Sequence, residues 1–327
     1  MRYVRPLMQV GPARPVGAIR CGWCWFTHAE ILSRDAEPYV VAASELSEEE
    51  RARFAGPWEA PRIMGILNTT PDSFSDGGAH DTLQAAVAHG QSLMAAGADI
   101  LDIGGESTRP GAAEVPADDE IARTAPVIAA LRRAGVRTPI SIDTRKAKVA
   151  AAALDAGADI VNDVSGFTFD ADLAPLCAAR GVPVCVMHAQ GDPQTMQNSP
   201  TYDNILLDIY DHLAQRIVAL VAQGIPRAHI TADPGIGFGK TLDHNLTLLN
   251  RISLFHGLGV PILIGASRKR FIGTLGNAPE AKDRGPGSVG VALAAIAQGV
   301  QIVRAHDVAD HVQAIALWRA SVAHPSA

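Results

Sequence analysis

The feature that most constrains this chain is a joint that recurs along it. Ala95-Ala-Gly-Ala-Asp-Ile-Leu-Asp102 is echoed by Asp155-Ala-Gly-Ala-Asp-Ile-Val-Asn162 and, more loosely, by Ala297-Gln-Gly-Val-Gln-Ile-Val-Arg304. In each copy a segment of helical period runs into a glycine, as a left-handed helix C-cap requires, and an apolar strand starts two or three residues later. Between Pro61 and the C-terminal region, strand candidates recur at Ile63–Leu67, Ile100–Ile103, Ile140–Ile142, Ile160–Val161, Val184–Met187, Ile230–Ala232, Ile262–Ile264 and Ile302–Val303. Alanine-rich helical segments such as Leu83–Ala96, Ile121–Arg133, Lys146–Asp155, Tyr202–Gln223 and Val289–Gln298 separate them. Short, continuously apolar strands alternating with helices indicate a parallel sheet covered on both faces. Eight such units closing on themselves predict an α/β fold, a (β/α)8 TIM barrel over residues 61–327.

A barrel of this kind gathers functional groups at the C-terminal ends of its strands. Those ends carry Asn68, then Asp102 with the following Gly-rich loop, Asp143-Thr-Arg145, Asn162-Asp163, Met187-His188, Asp233, Ser267-Arg-Lys-Arg270 and Arg304-Ala-His306. So many hydrogen-bonding and charged groups around one mouth suit a binding site better than a decorated rim. For Asp143 and Asp233 the bland alternative is a helix N-cap after a strand. The first loop, Met64-Gly-Ile-Leu-Asn-Thr-Thr-Pro-Asp-Ser-Phe-Ser-Asp-Gly-Gly78, places Phe74 among polar groups, as a loop closing over a flat polar substrate would.

Composition narrows the function classes. Of 327 residues 47% are hydrophobic but only 5% aromatic, which fits a small-aliphatic interior. A net charge of −6 with no long basic run argues against a nucleic-acid surface, and no stretch approaches the roughly 18–20 apolar residues of a membrane span. Four cysteines are too few for a disulfide scaffold; Cys177 and Cys185 read as core. Cys21-Gly-Trp-Cys24 has redox or zinc spacing, yet no helix start follows it and no second Cys/His pair completes a tetrahedral site. The first twenty residues carry four arginines and no acid, but they lack a secretory apolar core, so the expected location is cytoplasmic. Residues 1–60 differ in texture from the rest. They predict a hairpin or small sheet followed by a helix-prone acidic piece around Glu45–Arg53, together a cap over one end of the barrel.

Four segments, the 64–78 loop, Asp102-Ile-Gly-Gly-Glu-Ser-Thr-Arg-Pro-Gly111, Asp233-Pro-Gly-Ile-Gly-Phe-Gly-Lys240 and Ser267-Arg-Lys269, resemble in content and order the motifs of dihydropteroate synthases. The likeness runs from about Pro61 to Val308; residues 1–60 carry no motif of that family, and Ala305 and Arg270 are small departures from its pattern. The resemblance implies a transferase that joins a dihydropterin methyl diphosphate to p-aminobenzoate with loss of diphosphate, assisted by Mg²⁺, in a homodimer. It implies a pterin site of Asp143, Asn162, Met187, Asp233, Lys269 and Arg304. It implies a p-aminobenzoate site of Phe74, Thr108, Arg109, Pro110, Phe238, Lys269 and Arg270. Diphosphate is expected at Asn68, Arg109, Arg304 and His306, with Asn68 as the Mg²⁺ ligand and Asn68, Arg109, Lys269, Arg304 and His306 as the catalytic set. A pterin-dependent methyltransferase barrel or a silent pterin-binding paralogue are the alternatives. Neither needs the Phe74 loop and the Ser-Thr-Arg-Pro segment together.

Overall fold

The computed structural model describes residues 2–70, 79–107, 112–191, 196 and 199–323. Eight parallel strands form the centre: β6 (Arg62–Asn68), β7 (Ile100–Gly104), β8 (Ile140–Asp143), β9 (Ile160–Asp163), β10 (Val184–Met187), β11 (Ile230–Asp233), β12 (Leu263–Ile264) and β13 (Ile302–Ala305). They are ordered β11-β10-β9-β8-β7-β6-β13-β12, and a bridge between Ala232 and Ile262 brings the two ends together. Helices α2 (Ala79–Ala95), α3 (Ala117–Arg133), α4 (Ala147–Asp155), α5 (Leu173–Arg180), α6 (Ile205–Ala222), α7 (Leu242–Asn250), α8 (Arg270–Leu275), α9 (Gly285–Ile296) and α10 (Val308–Ala323) follow the strands around the outside. The (β/α)8 barrel is therefore present as expected. Several strands run a residue or two further than their apolar stretches, because the polar residues Asp143, Asp163 and Asp233 still pair in the sheet.

The repeated joint has a physical reason at its glycine and at the polar position that follows. Gly97, Gly157 and Gly299 all adopt positive φ (100°, 112° and 87°), the backbone that ends each preceding helix. The polar residue two places later then reaches sideways. Asp99 Oδ2 accepts the Ile63 N–H at 2.8 Å, Asp159 Oδ2 accepts the Ile140 N–H at 2.8 Å, and Gln301 Oε1 accepts the Ile262 N–H at 2.8 Å. One side chain in each joint thus satisfies a backbone donor at the start of a neighbouring strand and helps set its register.

Residues before the barrel make a small antiparallel sheet, β1 (Tyr3–Pro6), β4 (His28–Leu32) and β5 (Tyr39–Ala42), and a hairpin of β2 (Ile19–Cys21) with β3 (Cys24–Phe26). The acidic helix α1 (Glu48–Ala52) starts at Ser47, whose Oγ accepts from Glu50 N while the Glu50 carboxylate accepts from Ser47 N. Val4, Cys21, Phe26, Ala29, Ile31, Ala43, Leu46 and Phe54 form their own apolar cluster. The segment is tied to the barrel by Tyr3 Oη on both Asp211 oxygens (3.0 and 2.9 Å), Ser253 Oγ on the Pro6 carbonyl (2.9 Å) and Trp23 Nε1 on the Ile296 carbonyl (2.9 Å). Residues 252–258 and 296 precede β12 and β13, so the Ser253 and Trp23 contacts lie at the end of the barrel opposite the strand C-termini. Cys21 and Cys24 are buried, unbridged and opposite each other in the hairpin; burial pushes the Cys21 thiol up to about 12 and raises Cys24 as well, so neither is poised as a thiolate.

Candidate active site

The mouth of the barrel is built on three carboxylates and two cations. Asp102 lies on β7, Asp143 ends β8 and Asp233 ends β11, and each is buried. Arg304 on β13 reaches across the barrel: its Nε donates to Asp102 Oδ2 at 2.6 Å and its Nη2 to Asp143 Oδ2 at 2.8 Å. Asn162 Nδ2 adds a longer bond of 3.4 Å to the same Asp102 oxygen. The second oxygens, Asp102 Oδ1 and Asp143 Oδ1, are buried and unpartnered among the described residues. Two buried acceptors without donors are costly in a finished core, and they suit a site that a ligand carrying N–H groups completes. Burial raises Asp143 to about 7 against the pull of Arg304. Burial alone would lower Arg304, but Asp102 and Asp143 overcome it and hold the guanidinium firmly charged.

Asp233 stands on the other side of Arg304. Its Oδ1 accepts from Gly235 N at 2.7 Å, and a Cβ added at Gly265 would lie 3.8 Å from Arg304 Cβ and 4.0 Å from Asp233 Oδ2. The absence of a side chain at Gly265 therefore keeps the space between these two groups clear. Burial raises Asp233, while Lys269 and the Gly235 N–H pull it down. Lys269 is lowered to about 7, by burial first and by Arg304, with Asp233 opposing. Its Nζ donates to the Ile236 carbonyl and lies 4.3 Å from the centroid of the Phe238 ring, a cation over an aromatic face. Met187 is buried opposite Asp233 in the β10–β11 register.

The structure brings Asp143, Asn162, Met187, Asp233, Lys269 and Arg304 to one mouth, with Phe238 beside Lys269. Asn68 is half-buried at the end of β6, between β7 and β13, and His306 follows β13 with its Nδ1 3.0 Å from Ser267 Oγ. Arg270 is exposed at the start of α8. Phe74, Thr108, Arg109 and Pro110 lie outside the described residues. For a metal, the described residues contain no group of three His, Cys, Asp or Glu side chains able to hold one. The amide oxygen of Asn68 is a hard donor of the kind Mg²⁺ accepts, and Mg²⁺ commonly takes few protein ligands when substrate phosphates and water fill the rest. The donor set fits a cation that arrives with a diphosphate, not one held by a protein cage.

Other functional positions were hidden in the sequence. Asp102 stood in the pattern only as a polar strand end, yet it is the partner of Arg304. Glu106 accepts from Arg145 Nη2 (3.0 Å), Lys146 Nζ (2.8 Å) and Val115 N (3.2 Å), and Lys146 Nζ also donates to Glu120 (2.8 Å) and the Val115 carbonyl (2.7 Å). One buried knot thus ties Glu106 and Val115, which flank the second loop. Behind Asp233, the buried pair Lys240 and His188 was likewise unassigned; only the Gly-rich spacing around Lys240 marked the place.

Comparison with known proteins agrees with this geometry. Residues 64–306 match the family model described as pterin binding enzyme. A dihydropteroate synthase of Synechocystis sp. is 45% identical over 261 residues, covering 79% of this chain and 90% of the relative. A probable bifunctional folylpolyglutamate synthase/dihydropteroate synthase of Haloferax volcanii is 46% identical over 303 residues, 90% of this chain and 36% of the relative, which is more than the barrel region alone can supply. Among solved structures, the Xanthomonas albilineans dihydropteroate synthase with 4-aminobenzoic acid superposes with a TM-score of 0.77 at 44% identity, covering 82% of this chain and 95% of that one. The barrel, its polar mouth and these matches together place the chain in the pterin-binding enzyme family, among the dihydropteroate synthases.

Proposed function

We propose that this chain condenses a 7,8-dihydropterin-6-ylmethyl diphosphate with p-aminobenzoate to give 7,8-dihydropteroate and diphosphate. The observation that supports the reading is the pair of buried oxygens on Asp102 and Asp143 that lack partners among the described residues, beside the Arg304 guanidinium and facing the same mouth as Asp233. A pterin offers an amino-pyrimidinone edge with adjacent N–H donors. Asp233 takes two of them as charge-assisted bonds, and Asp143 and Asn162 satisfy further ring atoms. Met187 packs on one face of the ring. With Nε and one Nη2 hydrogen fixed on the carboxylates, Arg304 presents its guanidinium plane to the other face and keeps Nη1 for the substrate. Lys269 sits between the pterin edge and the second substrate, and Phe238 forms one wall for the flat p-aminobenzoate ring.

His306 and Arg304, with Arg109 from the second loop, bind the diphosphate. As its bond to the methylene carbon lengthens, their fixed donors meet the charge that develops on the departing oxygen. The arylamine nitrogen of p-aminobenzoate attacks that carbon and loses a proton as the new C–N bond completes. Asn68 would hold Mg²⁺, which would supply further neutralisation of the leaving group. Buried Asp102 and Asp143 keep Arg304 aimed, so that little reorganisation is needed at the moment of transfer.

The small sheet before residue 61 is proposed as a structural cap that closes the barrel's lower end and takes no part in transfer. A homodimer is also proposed, and an apolar groove of about 520 Å³ between α7 and α9, lined by Leu246, Leu249, Val291 and Ala295, offers a surface for it. Among the described residues no helix is long and apolar enough to cross a membrane, in keeping with a proposed cytoplasmic enzyme. The decisive assay is release of inorganic pyrophosphate from the dihydropterin diphosphate. Release that needs both p-aminobenzoate and Mg²⁺, with dihydropteroate as product, is expected. No release, or methyl transfer from a methylated folate, would point to the other pterin-binding classes.

A further inference from the structure

Behind the mouth, Lys240 and His188 form a buried pair that the reaction as described does not use. The stretch from Asp233 to Lys240 turns on three glycines of positive φ, Gly235, Gly237 and Gly239 (70°, 83° and 62°). None can carry a side chain. A Cβ at Gly235 would lie 1.9 Å from the His188 carbonyl oxygen, and one at Gly239 would lie 2.6 Å from the Gln190 carbonyl oxygen. A stretch so rich in glycine has little conformational preference of its own, so its shape must be imposed from outside.

Lys240 imposes much of it. Its Nζ donates to the Phe238 carbonyl at 2.8 Å and to the His188 carbonyl at 3.4 Å, and lies 3.0 Å from His188 Nδ1. Three acceptors thus surround the Lys240 nitrogen. Burial lowers the pKa of Lys240 and holds His188 near 2, so the imidazole is neutral and its Nδ1 is free to accept. Two other side chains finish the clamp: Tyr202 Oη donates to the Gly239 carbonyl at 2.8 Å, and Asn245 Oδ1 accepts from Gly237 N at 2.6 Å. On the far side of the same backbone sit the groups that face the substrates. Ile236 offers its carbonyl to Lys269 Nζ, and the Phe238 ring lies beneath that ammonium.

We infer that Lys240, through His188, is a positioning residue for the second substrate. It fixes the Phe238 backbone, and so the aromatic wall and the Lys269 ammonium, at the distance p-aminobenzoate requires. The pterin edge depends on it less, because Asp233 is set by strand pairing with β10 and by Gly235 N. This inference rests on the proposed condensation.

The test uses the full chain, with wild type, Lys240→Met and Tyr202→Phe assayed side by side. Lys240→Met keeps the length and removes every donor, and it is expected to raise KM for p-aminobenzoate by about tenfold or more, since small misplacements near a reacting pair are costly. Its calorimetric affinity for a pterin lacking diphosphate should stay within about threefold of wild type, the split that a local positioning role requires. Tyr202→Phe loses one hydroxyl, should keep its fold, and is expected to raise the same KM by about two- to fivefold. Lys240→Met with a lowered Tm but unchanged KM would overturn the inference, as would an equal loss of affinity for both substrates. Should Lys240→Met fail to fold, an unchanged KM in Tyr202→Phe overturns it instead. A wild-type chain that releases no pyrophosphate would refute the condensation itself, an outcome plainly distinct from these.

Discussion

The two ends of one barrel are built to opposite rules. At the upper end, the strands finish in Asp143, Asp163 and Asp233, glycines line the turns, and buried oxygens on Asp102 and Asp143 go without donors among the described residues. At the lower end, Asp99, Asp159 and Gln301 satisfy N–H groups at the starts of neighbouring strands, and an interior layer of Met64, Ile100, Cys185, Leu263 and Ile302 packs with Trp58. The small sheet of the first residues adds Phe26 and Phe54, edge to face with centroids 5.2 Å apart. The lower end therefore contributes stability, and the upper end holds polar groups in reserve for a ligand. A fold can carry the second only because it has the first.

The sharpest way to break this contrast is Arg304→Met. It leaves Asp102 and Asp143 facing each other without their shared cation and removes a proposed diphosphate donor. Pyrophosphate release should fall by about a hundredfold or more, and the Tm should drop as well, because stripping one partner from a buried pair leaves uncompensated charge. A variant with near-normal turnover would mean that the bridge is scaffolding only.

Phe26→Ala probes the opposite end. This ring is fully buried, and its loss should cost about 3–5 kcal/mol in denaturant unfolding. Below the transition, kcat/KM should remain within about twofold of wild type, since a distant cavity takes no transition-state contact. A marked loss of kcat/KM in folded protein would show that the cap acts on the chemistry.

A smaller effect sharpens the picture of the upper end. With Asp143 near 7 in the empty site, the carboxyl is partly protonated at neutral pH. A pterin N–H favours the ionised form, lowers that pKa on binding and expels a proton. Affinity should therefore rise as pH rises through about 7, and titrations in buffers of different ionisation heat should detect a fraction of a proton released. Asp143→Asn should abolish the release; a variant that still releases it would move the titration to another group, such as Lys269.

Much of this was legible in the sequence, and the limits have physical causes. The glycine joints announced the barrel, because a left-handed cap followed by an apolar strand has few other readings. Polar residues at strand ends announced the mouth. What stayed hidden were pairings across the barrel. Asp102 could not be matched to Arg304, some two hundred residues away, from spacing. Lys146 opens the helical segment read at 146–155, but it precedes α4 and is buried between two glutamates. Lys240 closes a glycine-rich motif in the sequence, and the fold buries it against a neutral histidine. Charged side chains default to solvent in any one-dimensional reading, and only the closed sheet reveals which ones it has enclosed.

The buried carboxylates of the upper end are proposed as the pterin's recognition groups, and calorimetric titration of Asp233→Asn with a pterin decides whether they are. The substitution keeps the side chain's size and offers an amide donor where ring N–H groups need an acceptor. Affinity is predicted to fall by about tenfold or more, the cost of a mispaired buried group, with the Tm close to wild type. Unchanged affinity in a folded variant would contradict the account.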